Sequence, residues 1–125
     1  MKSENKIIRH GVNEDLAASE IVEAGGFFFV SFCVGNVGQP IEAQINGAFD
    51  DLSRKLETVG FALDSVVKID AMFRDVWNIL IMEKVIRKRF NGKYPARKSI
   101  QTEFAHKGGS DGLLFQLDAV AYKAV

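Results

Sequence analysis

The spacing of apolar residues along this chain switches between about two and about 3.6, and each switch marks an element. Ser19 to Ala24 reads as a short strand, and no element is assigned ahead of it. Gly25-Gly26 turns the chain into Phe27-Phe28-Phe29-Val30-Ser31-Phe32-Cys33-Val34. That run is too continuously apolar for a strand with one wet face. It suits a strand buried on both faces, or one whose outer face another subunit covers. From Pro40 the period lengthens. Ile41, Ile45, Ala48, Phe49, Leu52, Leu56 and Val59 fall on one side of a helix, with Glu42, Asp50, Asp51, Arg54 and Lys55 on the other. Pro40 suits a first helical turn and Gly60 a helix end. Ser65 to Asp75 alternates again, setting Val67, Ile69, Ala71 and Phe73 against Lys68, Asp70, Met72 and Arg74. A second helix is predicted from Trp77 to Phe90, closed by Asn91-Gly92. Two strands follow, Arg97 to Phe104 and Leu113 to Tyr122, joined by a polar, glycine-rich loop from His106 to Gly112.

Strands, helix, strand, helix and two strands in that order predict an α+β sandwich, a mixed β-sheet with both helices packed on one face. The other face is then expected to form an oligomer interface lined with functional side chains. No repeat, low-complexity tract or linker interrupts the 125 residues, which predicts a single domain, 1–125, with a core that needs no staple. Sixteen basic residues balance sixteen acidic ones, so no global field draws the chain to nucleic acid or anionic membrane. The single cysteine, Cys33, fits a reducing compartment and reads as a small buried hydrophobe. Met1 to Lys6 leads into no apolar stretch of signal-peptide kind, and the longest apolar run is too short to span a bilayer. A cytoplasmic protein with no membrane partner is expected.

Candidates for chemistry are few. Tyr94-Pro95-Ala96-Arg97 places an arginine just behind a proline-stiffened turn. A guanidinium held there presents a planar fork of donors that can grip a carboxylate through two parallel hydrogen bonds. Pairing with a surface acid is the other use of such a residue, and these four residues alone do not decide. His10 and His106 have no second ligand at helical or loop spacing, so no metal is expected. The glycines at 108, 109 and 112 do not lie between a strand and a helix N-terminus, as a phosphate loop requires, and suit a hairpin. Lys84, Arg87, Lys88, Arg89 and Lys93 cluster around the end of the second helix. They complement its dipole as well as they would phosphates, and no interleaved aromatics stand ready to stack bases, so nucleic acid is not the expected partner.

Taken in order, Gly26-Phe27-Phe28-Phe29-Val30-Ser31, Gln44, Leu56-x-x-x-Gly60, Ser65-Val66-Val67-Lys68, Tyr94-Pro95-Ala96-Arg97 and Ala119-Val120-Ala121 resemble the YjgF/RidA (endoribonuclease L-PSP-like) family of enamine/imine deaminases. The resemblance covers residues 15 to 123. It implies a chorismate-mutase-like α+β fold assembled as a homotrimer, with clefts between subunits and no metal or organic cofactor. It implies that Arg97 clamps the substrate carboxylate, and that the substrates are short-lived 2-imino or 2-enamino acids hydrolysed to 2-keto acids and ammonia. Some relatives have been described as ribonucleases or translation inhibitors.

Several positions depart from the family pattern. Gln116 stands where a glutamate usually orients water and handles protons, and an amide is no general base at neutral pH. Asp118, two residues on, is a weak stand-in at about 7 Å along the strand. Phe32 follows Ser31 where glycine is usual, Glu83 lies where asparagine is usual, Ala18 near a usual tyrosine, and Ser99 at a usual cysteine. The expected site therefore joins Arg97 and Gln116 as catalytic residues with Ser31, Phe32, Glu83 and Ser99 lining the cleft. A non-catalytic module binding a keto acid or similar small anion is the alternative, followed by an RNA-directed function.

Overall fold

The computed structural model describes residues 6–104 and 112–124. His106 and all but Gly112 of the expected hairpin loop lie outside them. Six strands, β1 (Ile7–Asn13), β2 (Ala18–Ala24), β3 (Phe27–Cys33), β4 (Val66–Phe73), β5 (Ala96–Gln101) and β6 (Phe115–Tyr122), form one sheet in the order β1-β2-β3-β6-β4-β5. All neighbours pair antiparallel except β4 and β5, which run parallel and are joined through a helix. Helix α1 (Ile41–Glu57) follows β3, and α2 (Ile79–Phe90) lies between β4 and β5. No described helix is long and apolar enough to cross a membrane.

Both helices cover one face of the sheet. Ile21, Val30, Ile69, Phe73, Phe115 and Leu117 point from the strands into a core shared with Phe49, Leu52 and Met82. Aromatic rings knit the layers: Phe115 lies 5.0 Å from Phe73 and 6.4 Å from Phe49, which meets Phe90 of α2 edge-on at 5.9 Å. Gly60, at φ 84°, ends α1 as its sequence position predicts. Its N–H donates to the Glu57 carbonyl and that of Phe61 to the Leu56 carbonyl, which satisfies the last turn. Asn91 closes α2 in the left-handed region at φ 52°, its N–H donating to the Arg87 carbonyl.

Four features differ from the sequence reading. Strand β1 was not assigned because six of its seven residues are exposed, so neither face leaves a hydrophobic period. Helix α2 begins at Ile79; Val76–Asn78 instead form a 3₁₀ turn whose entry is capped by Asp75, which accepts from the Trp77 N–H at 3.0 Å. Val67 does not share the buried face of Ile69, Ala71 and Phe73. A bulge between Val66 and Lys68 turns it outward, and Val66 is buried in its place. Lys55, read as solvent-facing on α1, is only 4% exposed, because its ammonium reaches carbonyls inside the fold.

Gln44 is fully buried on α1 and joins three chain segments. Its Nε2 donates to the carbonyls of Gln39 at 2.9 Å and Gly112 at 2.6 Å, while Oε1 accepts from the Leu114 N–H at 2.9 Å. These bonds fix the entry of β6 against the start of α1. Replacing Gln44 by leucine keeps the volume but removes all three bonds, including the partner of the half-buried Leu114 N–H. The expected loss is about 2–4 kcal/mol, since each orphaned buried group costs about 1–3 kcal/mol. Urea unfolding of Gln44→Leu measures it, and an unchanged midpoint would show that the tie contributes nothing.

Candidate functional site

Arg97 sits on the edge strand β5, opposite Ile69 of β4 in a parallel pairing, so it shares the helix-covered face of the sheet. There the sheet outruns the helices and leaves a cavity of about 370 Å³. Glu83, Arg87, Tyr94 and Arg97 line it over a floor of Ile69 and Ile86. Parallel pairing places this pocket: the chain must leave β4, cross over through α2 and return through Pro95 before β5 begins, which brings one face of α2 beside the strand's first residues. Arg97 Nη2 donates to Glu83 Oε2 at 2.8 Å. Among the described residues this is the single protein bond of its guanidinium, and Arg97 lines the cavity. Both side chains are partly open, Arg97 at 32% and Glu83 at 25% exposure. Of the two uses open to this arginine in the sequence, the structure shows the ion pair, made beside a cavity that the same residue lines.

Ser99 follows Arg97 on the same face, opposite Ala71, with its hydroxyl buried and lacking a hydrogen-bond partner among the described residues. Gln116 does not join this group. It lies opposite Met72 on β6, between the fully buried Phe115 and Leu117, and therefore points to the uncovered face. Within one chain Arg97 and Gln116 are on opposite sides of the sheet.

Ser31 and Phe32 belong to the uncovered side as well, where β3 bulges between Val30 and Cys33. Phe32 has φ 58°, the left-handed region that glycine occupies freely. The glycine-like backbone is kept at this position with a phenylalanine in it. Three side chains hold it there. Asp118 Oδ1 accepts from the Phe32 N–H at 2.9 Å; Lys55 Nζ donates to the carbonyls of Ser31 and Phe32, each at 3.0 Å; Asp51 Oδ2 accepts from the Val34 N–H at 3.3 Å and pairs with Lys55 at 3.3 Å. Asp118, weighed as a substitute proton carrier, is thus bound to the bulge backbone. Lys55 and Asp51 were missed in the sequence. The available signal was spacing, since Lys55 stands three residues after Leu52 and seven after Ala48, inside the buried stripe.

Beyond the bulge, Asp70 and Asp118 stand directly opposite each other on the uncovered face, where Lys68 Nζ approaches Asp70 Oδ1 at 3.5 Å. Ala18 is exposed at the rim of a second hollow of about 360 Å³ that Ser31, Phe32 and Lys55 also line. Cys33 is fully buried beside the bulge, and burial pushes its thiol up to about 12 against the opposing pull of Lys55, so no thiolate forms near neutral pH. His10 is not isolated: it pairs with Glu23 across β1 and β2 at 3.0 Å. The basic cluster of α2 divides, with Lys84, Lys88 and Arg89 lining one shallow hollow beside Glu42 and Asn46. Arg89 turns inward to Asp50 and Asn46, Lys93 leans toward Asp64 at 4.0 Å, and Arg87 faces the Arg97 cavity.

No family model matches the chain. A solved structure of a hypothetical protein from Streptococcus pyogenes M1 GAS, described as a member of the yjgF family, is 62% identical over the whole of both chains with a TM-score of 0.90. The chain belongs to the YjgF/RidA family. A YjgF-family protein from Neisseria meningitidis, NMB1025, shares the fold at 22% identity and a TM-score of 0.84 over 98% of each chain. A RutC family protein of Pyrococcus horikoshii is 24% identical over 112 residues, 84% of this chain and 86% of the relative. The six-stranded sheet with two helices on one face is the fold of this family.

The bulge generates a direct test. Ordinarily glycine destabilises a strand relative to alanine, but at φ 58° the order reverses. Both Phe32→Gly and Phe32→Ala remove the ring, so their difference isolates the backbone. Phe32→Gly is expected to unfold at higher urea, by about 1 kcal/mol, the low end of the left-handed penalty for a residue with Cβ. Equal stability would mean that the left-handed bulge is not kept in solution.

Proposed function

We propose that this protein hydrolyses 2-imino and 2-enamino acids to 2-keto acids and ammonia in clefts between neighbouring copies of the chain. The observation that carries this reading is a guanidinium opening on a cavity of about 370 Å³ with a single protein bond, leaving the remainder of its fork for a ligand carboxylate. An iminium carbon is already electrophilic. Water attacks C2, a proton passes from water to nitrogen, and the C–N bond breaks, so that R–C(=NH2⁺)–COO⁻ and H2O become R–C(=O)–COO⁻ and NH4⁺. Catalysis then consists of anchoring, a positioned water and proton transfers.

The uncovered sheet face supports association. Phe27, Phe29 and Tyr122 remain 42%, 47% and 41% exposed there, with the Phe27 ring tilted against that of Tyr122 at 4.9 Å. A contiguous apolar face of this kind on a small chain is one that another protein surface covers. Its polar end holds Ser31, Asp118 and Gln116, the residues that cannot reach Arg97 within their own chain. Docking the Arg97 edge of one copy near that end of the next completes the site. A trimer follows the family resemblance. In this arrangement Gln116 orients the water by hydrogen bonding and takes no proton.

A second reading, a module that binds a keto acid or similar small anion without turnover, draws on that same amide in place of a carboxylate. Gln116→Glu separates the two: activity gained only in the variant supports the binding module, while a slower variant places Gln116 in a working site.

Two outcomes are expected. An amino acid oxidase generates 2-imino acids, and semicarbazide trapping follows their loss; the protein accelerates that loss, and Arg97→Ala reduces the acceleration by about 100-fold or more, as for a lost positioning clamp. Acceleration that survives Arg97→Ala removes the anchor. Phe29→Glu places a charge in the apolar face and is expected to shift the protein to monomers in light scattering while abolishing turnover. Full activity in a monomer would place the whole site within one chain.

A further inference from the structure

We propose that Glu83 makes the Arg97 cavity selective for ligands that carry a protonated nitrogen beside their carboxylate, so that it holds a 2-iminium acid in preference to the 2-keto acid formed from it. This rests on the reading of Arg97 as a carboxylate anchor. Among the residues lining the cavity Glu83 is the sole acid, and it stands 2.8 Å from the guanidinium rather than across the pocket. A ligand carboxylate that takes the remaining donors of Arg97 brings the substituent on C2, two bonds from the carboxylate carbon, close to the Glu83 carboxylate. What that substituent is then decides the energy. An iminium or ammonium N–H donates to the carboxylate in a charge-assisted bond. A keto oxygen sets lone pairs against lone pairs, and the bare anion must also compete with Glu83 for the arginine.

The charge balance agrees. Arg87 and Arg97 supply two cations to the cavity and Glu83 one anion, so the ligand carboxylate has a partner while Glu83 keeps capacity for a positive group. Glu83 Oε2 is engaged by Arg97; Oε1 has no protein partner among the described residues. Hydrolysis replaces the nitrogen by oxygen and removes the bond to Glu83. The product is thereby released from a site that still matches the substrate, which is differential binding set by one side chain.

L-Alanine and pyruvate differ at C2 as ammonium and carbonyl, and ligand-observed NMR measures the affinity of each without turnover. The wild-type protein is expected to bind L-alanine about tenfold more tightly than pyruvate, the effect of one charge-assisted hydrogen bond. Glu83→Gln should level or invert that order with pyruvate gaining, Glu83→Asp should keep it, and Arg97→Ala should weaken both ligands. Pyruvate binding as tightly as L-alanine in the wild type overturns the proposal, and that comparison needs no variant to fold. An equal gain for both ligands in Glu83→Gln would make Glu83 a mere competitor for the arginine, and an unchanged ratio would make it a mere brace; either overturns it. The ranking without imine hydrolysis would leave the selectivity standing and remove the catalytic reading. Hydrolysis without the ranking would do the reverse.

Discussion

A β-sheet has two faces, and this chain brings two helices to cover only one of them. The buried apolar strand residues of the covered side pack against α1 and α2, with Phe49, Phe73 and Phe115 at the centre. The other side keeps Phe27, Phe29 and Tyr122 in solvent. Most of what is distinctive in the molecule follows from that asymmetry. Arg97 lies where the covered side runs out of helix, at the edge strand. Ser31, Asp118 and Gln116 lie where the uncovered side runs out of apolar residues. A single chain thus carries two polar groupings that face in opposite directions, one on each side of the sheet.

The two groupings are built to different tolerances. Arg97 is held by one ion pair on the edge strand. The Ser31–Phe32 bulge is over-determined: a buried lysine, two aspartates and the backbone itself fix a conformation that phenylalanine would otherwise avoid, at a cost of about 1–2 kcal/mol. Strain of this kind persists only where its surroundings enforce it.

Much of this was legible in the sequence, and what was not has a physical reason. The helical stripes, the glycine that ends α1 and the proline-arginine turn all express local geometry, and local geometry is written in residue spacing. The face on which a residue emerges is local too, but it can be miscounted at a bulge, as for Val67. Pairing across the sheet is not local. Nothing in the order of the chain says that β6 lies between β3 and β4, so the separation of Gln116 from Arg97 could not be read. Nor could the Arg97–Glu83 contact, which joins residues fourteen apart across a helix and a turn. Lys55 was misplaced because a charged residue in a buried stripe looks like an exception until the carbonyls it satisfies are seen.

The position of β6 carries a consequence for how the chain is made. It is the latest of the described strands in sequence and yet, with β3, one of the two central ones, paired on both sides by strands synthesised far earlier. Until residues 115–122 leave the ribosome, β3 and β4 have no common neighbour, and the phenylalanine-rich β3 presents an unpaired edge to whatever is nearby. The sheet cannot be completed in stages from the N-terminus as a meander can. Its closure waits on the synthesis of β6, and until then the nascent chain carries an unpaired apolar edge that invites aggregation.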